Sequence, residues 1–393
     1  MPDGPVDTTN AATVKLWAKK TWYDWRMRSS WFNPANGFTG DDPESFPIVE
    51  VNDFEGGPGD EITYTLLHLI GGRGAIGAEQ LEGREQVQDF STFKMKVDIQ
   101  RNAVKVPGAK INPQRVPWKV MKESSRALRS WADQRREVTI ANHMCGNSRQ
   151  TDLAYTGLNT VNEPDSRHIY RVGSGLGASN DQSLTSSNVF DVDIIPELIN
   201  AAETQDPPMK PWIYKGNPYW GMWLHPNVIQ AMRKSSAKWY DEARAALQGG
   251  KVDNNPIFSR ALGMKHNVLL FSEISLTQGK NSSTSAAVPN TRRNVFFGAG
   301  AIMIGYGVLS KESGDTDRLS WTSAATDFGM KLYTALDWTW GVKTIRFADQ
   351  TNTPRDLGRI VVVSYAAEQP FPYIVPAGPL GSYIESYDKG QPQ

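Results

Sequence analysis

The amino-acid sequence predicts an α+β fold. Three observations carry that reading. Residues 59–67 and 93–106 alternate apolar and polar side chains with the period of a β-strand. Residues 113–143 carry an apolar stripe at helical spacing. Short apolar runs follow at VLLFSE (268–273), VKTIRF (342–347) and GRIVVVSYAA (358–367), and each reads as a strand.

In GDEITYTLL (59–67), Ile62, Tyr64 and Leu66 alternate with Thr63, Thr65 and Leu67. In FKMKVDIQRNAVKV (93–106), Phe93, Met95, Val97 and Ile99 face one way, and Lys94, Lys96, Asp98 and Gln100 the other. Between them lies a Gly-rich, charged stretch, GGRGAIGAEQLEGREQVQDF (71–90). The pattern predicts two long strands and a connection of about 20 residues, a length that is uncommon in compact domains and usually serves a function.

The helical stretch begins near Pro117, where a first-turn proline is tolerated. Trp118, Met121, Ser125, Leu128 and Ala132 form its stripe, and Gly146 is a natural stop. Residues 147–188 are rich in Gly, Ser and Asn and read as loop. A helix is expected within 189–205, and two strands across a turn near Gly216 and Asn217 within 210–226. A helix is expected over 226–247, core over 293–307 and a further helix over 324–341.

A chain of 393 residues exceeds the usual size of one hydrophobic core, so two or more substructures are expected. Hydrophobic residues at 39% and charged residues at 21% are a globular composition. Lys plus Arg and Asp plus Glu both number 42; this neutrality argues against a dedicated nucleic-acid binder and leaves room only for weak, non-specific contact with DNA. The single cysteine, Cys145, excludes an intramolecular disulfide and fits a reducing compartment. No apolar run reaches the ~20 residues of a membrane span, and MPDGPVDTTN lacks the pattern of a signal peptide. Folding in a cytoplasm, with no membrane partner, is expected.

The 13 tryptophans, 34 glycines and 24 prolines point to extended arms and loops that pack on neighbours. Residues 13–31 carry Trp17, Trp22 and Trp25 among lysines and arginines. A membrane-surface helix would confine such aromatics to one face. Here they are spread, which favours an arm that docks on protein. The tail, 369–393, alternates Pro, Gly and Tyr as another extended arm would.

Gly72-Arg73-Gly74-Ala75-Ile76-Gly77 fits G-x-G-x-x-G, with Asp98 downstream as a candidate ribose acid. An NAD(P)-dependent oxidoreductase is therefore the alternative from a different class. Three features oppose it. Gly83 interrupts the following stretch, the flanking strands alternate rather than bury both faces, and no further βαβ units follow. Gly173, Gly175 and Gly177 do not match the fingerprint. The five histidines show no metal-ligand spacing, and His143 and Cys145 lack partners for a zinc site. The pairs Asp191/Asp193 and Asp315/Asp317 are ordinary at this charge density. No catalytic residue, metal or cofactor is expected; a large, interface-rich chain without a chemical constellation is expected to assemble rather than catalyse.

Residues 13–107 resemble the major capsid protein family of N-four-like tailed bacteriophages. The resemblance rests on VKLWAKKTW, on IVEVNDFEGGPGDEITYTLL, and above all on GAIGAEQLEGREQVQDFSTFKMKVDIQRNAVKVPG. ALRSWADQRREVTIANHMCG also resembles that family's next helix. Weaker matches are LHPNVIQAMRK, NNPIFSRALGMKHNVLLFSE and RNVFFGAGAIMIGYG, so the resemblance covers about three quarters of the chain.

The resemblance implies the Hong Kong 97-type capsid fold. On that mapping 1–59 is an N-terminal arm and 60–107 an extended β-hairpin. Residues 108–189 are a peripheral domain with a spine helix at 113–145, and 190–310 an axial domain. Residues 311–368 return to the peripheral domain, and 369–393 form a C-terminal arm. It further implies a virion protein that assembles with itself into hexamers and pentamers in the host cytoplasm, with portal, scaffold or decoration proteins as further partners. A decoration protein is the second alternative. Trp17, Trp22 and Trp25 of the arm, and Arg73, Glu79, Glu82, Arg84 and Glu85 of the hairpin tip, become the candidate intersubunit residues.

Overall fold

The structure is a computed structural model that describes residues 31, 37–51, 61–67, 74–77, 79–80, 82, 85, 90–107, 120–177, 180–205, 207–214, 216–235, 263–307, 319–326, 328, 330–348 and 353–368. Its main elements, in chain order, begin with strands β1 (Ile48–Val51), β2 (Glu61–Leu67), β3 (Phe90–Lys96) and β4 (Asp98–Pro107). Helix α1 (Val120–Cys145) and strand β5 (Ile169–Arg171) follow, then α2 (Ile195–Glu203), β6 (Asn217–Leu224) and α3 (Pro226–Ser235). The remainder is strand: β7 (Val268–Ser272), β8 (Thr291–Phe297), β9 (Ile302–Tyr306), β10 (Leu319–Thr326), β11 (Lys331–Thr344) and β12 (Arg359–Tyr365).

These strands form two large sheets and a hairpin. The eight-stranded sheet runs 263–265, β7, β6, β8, β12, β5, 175–176, with Trp212–Tyr214 also paired to β6. The sheet therefore draws strands from three stretches of chain and mixes parallel with antiparallel pairs. Alternate side chains of each strand serve opposite layers. Trp223, Leu269, Phe271, Val295 and Phe297 face α1 and the second sheet. Met222, Leu224, Val268, Leu270, Phe296 and Val362 face α2 and α3. Strand β8 is buried at every position, as a central strand covered on both faces must be.

The six-stranded sheet is organised by β11. Its residues Lys331–Trp340 pair with Pro107–Asp98 of β4, Lys331–Trp338 with Thr326–Leu319 of β10, and Trp340–Thr344 with Tyr306–Ile302 of β9. The expected helix over 324–341 is thus strand at both ends, the last residues of β10 and most of β11. Leu332, Leu336 and Trp340 recur every four residues, a spacing that suits a helix face and equally one face of a strand. Trp338 and Val342 are buried as well, which settles the period at two.

The long helix ends where Gly146 takes a left-handed φ of 62°. Its buried residues Leu128, Ala132, Ile140 and Met144 pack in the core between the sheets. Trp31 packs there against Trp223, with ring centroids 4.6 Å apart and planes tilted by 36°.

The hairpin pairs Glu61–Leu67 with Lys96–Phe90 in antiparallel register. Phe93, Met95 and Val97 root it in a cluster with Val49, Val51, Met303, Ile345 and Phe347. Residues 93–106 are not one uninterrupted amphipathic strand. The inward alternation of Phe93, Met95 and Val97 stops at Val97, and Asp98 and Ile99 are both exposed. The strand changes partner at that point, from β2 to β11, and with it the face it buries.

Candidate functional site

Two parts of the molecule come into question: the hairpin tip named by the sequence, and a buried polar node that the sequence did not reveal. Trp17, Trp22, Trp25, Arg73 and Arg84 lie outside the described residues. Glu79, Glu82 and Glu85 belong to the stretch between β2 and β3, and all three are exposed. Ile76 beside them is 64% exposed. Gly74 and Gly77 take φ of 67° and 68°, a left-handed conformation that costs other residues about 1–2 kcal/mol. The strands that flank them are antiparallel partners. A dinucleotide cradle instead needs a strand that feeds a helix and returns as a parallel strand. The glycines belong to a hairpin connection.

The node lies at the C-terminal end of α1. There Arg293 of β8 donates from Nη1 to the Gly146 carbonyl at 2.9 Å. Arg359 of β12 donates from Nη1 to the carbonyls of His143 and Met144, the latter at 2.8 Å. A helix end presents unpaired carbonyls and partial negative charge, which guanidinium groups satisfy directly. The arginines are in turn held by carboxylates. Arg293 pairs with Asp181 at 2.7 Å and Glu163 at 3.1 Å, while Arg171 reaches Asp181 at 2.8 Å and Lys280 reaches Glu163 at 2.9 Å. Arg359 meets Asp356 at 3.3 Å, and Arg346 meets the same carboxylate at 2.7 Å. Asp165 joins them by accepting the Asp356 amide at 3.0 Å and pairing with His168 at 2.8 Å.

The electrostatics follow from these partners. Burial opposes ionisation of Asp165, but His168 and the amides of Asp356 and Arg167 outweigh it and hold the carboxyl at about 2. Burial likewise opposes the charge on Asp181, and Arg293 overcomes it, so its pKa is lowered. His143 and His225 are instead kept neutral. Burial pushes His143 down to about 4, aided by the Arg359 charge, and His225 down to about 3, aided by Arg292. The His143 ring bonds the Thr156 carbonyl at 2.8 Å through Nε2. Cys145 is fully buried, its thiol raised by burial, and its Sγ donates to the Arg293 carbonyl at 3.2 Å.

These groups fasten the helix end, both central strands of the large sheet and the 159–181 segment to one another. They offer no reactive nucleophile at a surface, and no group of three metal-ligating residues occurs among the described residues. No helix among the described residues is long and apolar enough to cross a membrane. One signal for the node existed in the sequence. Two adjacent arginines, Arg292 and Arg293, lead into the apolar run VFFGAGAIMI, and buried charges need partners.

The comparisons agree with the architecture. The capsid of Ralstonia phage GP4 is similar, with a TM-score of 0.70 and 24% identity over 88% of this chain and 93% of that one. The capsid asymmetric unit of cyanophage Pam1 gives 0.64 and 15% over 87% and 94%. The head structure of Helicobacter pylori bacteriophage KHP40 gives 0.57 and 14% over 84% and 90%. No curated protein sequence matches. The sequence profile described as phage capsid protein matches residues 7–368. With a Hong Kong 97-type arrangement of hairpin, long helix and two sheets now described, that match over nearly the whole length makes this chain a member of the phage capsid protein family.

Proposed function

We propose that this chain is the major capsid protein of a tailed bacteriophage, assembling into the hexamers and pentamers of an icosahedral head that encloses the genome. The observation that carries the proposal is the family match across residues 7–368. The fold similarity to phage capsids supports it. Head-to-tail contacts between identical subunits close into rings when the rotation closes, which is the geometry that such a shell requires. The role is structural and not enzymatic, and the protein resides in the virion after assembly in the host cytoplasm.

On this reading the arm (1–59) and hairpin (60–107) reach over neighbouring subunits. The peripheral domain comprises 108–189 and 311–368, the axial domain 190–310 and the C-terminal arm 369–393. Trp17, Trp22 and Trp25 dock on protein, and Arg73, Glu79, Glu82, Arg84 and Glu85 make intersubunit charge pairs. Each exposed pair is worth only about 0–1 kcal/mol, so its effect comes through repetition. A portal, scaffold or decoration proteins and weakly held DNA complete the partners.

Electron microscopy of purified material tests the proposal. Ring-shaped capsomers or closed shells are expected, and a small monodisperse monomer at high concentration would overturn it. Glu82→Lys together with Glu85→Lys tests the tip. Assembly measured by light scattering should weaken and lose part of its salt dependence; unchanged assembly would leave these charges merely solvated.

A further inference from the structure

We propose that Asn159 is a positioning residue that sets the direction in which the hairpin leaves the body of the subunit. The inference rests on the assembly reading for its consequence, but its geometry stands alone.

The hairpin joins the body at Lys96, the last residue of β3, immediately before the strand changes partner. The backbone of Lys96 is bonded by one residue and closely approached by another. The Asn159 carboxamide accepts the Lys96 N–H at 2.9 Å through Oδ1 and donates to the Lys96 carbonyl at 2.7 Å through Nδ2. A side chain here does what a neighbouring strand would do. Gly341 of β11 lies against the same residue, and any Cβ there would collide with the Lys96 carbonyl. The missing side chain lets the two backbones cross.

Asn159 is itself immobilised. It is 5% exposed and follows a short helical turn, Leu153–Thr156, capped by Asp152. That turn is bonded to α1 three times. Arg135 donates to the Ala154 carbonyl at 3.2 Å, Asn142 to the Tyr155 carbonyl at 3.1 Å, and His143 bonds the Thr156 carbonyl at 2.8 Å. The long helix therefore holds the turn by hydrogen bonds, a short stretch of chain links the turn to Asn159, and Asn159 bonds the root of the hairpin.

Lever arithmetic gives the grip its importance. A strand rises about 3.3 Å per residue, so seven residues of β3 extend roughly 20 Å from Lys96. A tilt of about 10° at the root would displace the far end by ~3 to 4 Å, more than the length of a hydrogen bond. Phe93 and Met95 resist lifting of the hairpin from the core, whereas the two Asn159 bonds fix its azimuth at the crossing.

Hydrogen exchange on the unassembled full-length chain tests this, with Asn159→Leu, which keeps the branched shape and removes both bonds, beside the smaller Asn159→Ala. Loss of two ordinary hydrogen bonds should raise exchange at Lys96 and along 90–96 and 61–67 on the order of tenfold. Amides of α1 and β12 should stay within twofold of wild type. Asn159→Asp keeps the acceptor for the Lys96 amide but turns an oxygen toward its carbonyl, and should fall with the Leu variant. Unchanged exchange in the hairpin would overturn the proposal. So would an equal rise across the whole chain, which would make Asn159 an ordinary stabilising residue. Assembly is read separately by light scattering. A loosened hairpin with normal assembly would fault the assembly role of the hairpin and leave the positioning role standing.

Discussion

Replacing Arg293 with alanine is expected to destabilise the native state severely. The side chain is 1% exposed and paired with an equally buried Asp181. Breaking a buried pair by removing one partner costs about 3–5 kcal/mol, because the other charge stays behind. The Gly146 carbonyl keeps the Ser148 amide, Glu163 keeps Lys280 and Asp181 keeps Arg171, so the loss lies toward the lower end of that range. A loss of about 3 kcal/mol is a large share of the 5–15 kcal/mol that holds a whole domain together. Soluble yield and urea unfolding of the unassembled chain read the effect. Arg293→Lys should be intermediate, since one ammonium cannot serve several acceptors as a guanidinium does. Arg293→Met with Asp181→Leu should recover little, because Arg171 and the Lys280 amide then lose the Asp181 carboxylate. A wild-type unfolding midpoint for the alanine variant would mean that the node is solvated in solution.

Acid should unfold the subunit through its histidines before its carboxylates. His143 and His225 have folded values of about 4 and about 3 against an ordinary 6.5. A depressed value means that the folded state favours the neutral ring. Its contribution is complete above pH 6.5 and is lost as pH falls toward the folded value. Each histidine forfeits about 1.4 kcal/mol per pH unit in that window, so the pair loses on the order of 5 kcal/mol between pH 6.5 and 4.5. Asp165 adds to the loss only below its ordinary 3.8, as pH falls toward about 2. Thermal melts of the unassembled chain from pH 7.5 to 4.5 should show a midpoint that is flat above pH 7 and falls steeply below 6.5. His143→Asn with His225→Asn should shrink the slope. A midpoint independent of pH down to 4.5 would contradict the burial of these rings.

Much of the local structure was legible because it is written in neighbouring residues. The stop at Gly146, the strands of the hairpin and the turn at Gly216 all follow from short patterns. Even the misreading of 324–341 was local, since a four-residue recurrence is compatible with both periods. The polar node was not legible because its partners are far apart. Arg293 and Asp181 are 112 residues distant, and Arg359 and Met144 are 215. Nothing near Asn159 marks it as the partner of a backbone 63 residues earlier. The tip residues could be named as charges on a long connection; that they pair with another copy of the chain is the proposal made above.

The burial of Cys145 has a practical corollary. It is the only cysteine among 393 residues, it is fully enclosed at the helix end, and its thiol is raised by that enclosure. Alkylating reagents attack thiolates that they can reach. A cysteine introduced at an exposed position would therefore be the only address on the folded subunit for a maleimide dye or a tethered cargo. The native chain already has the silent background that site-specific conjugation normally requires mutagenesis to create.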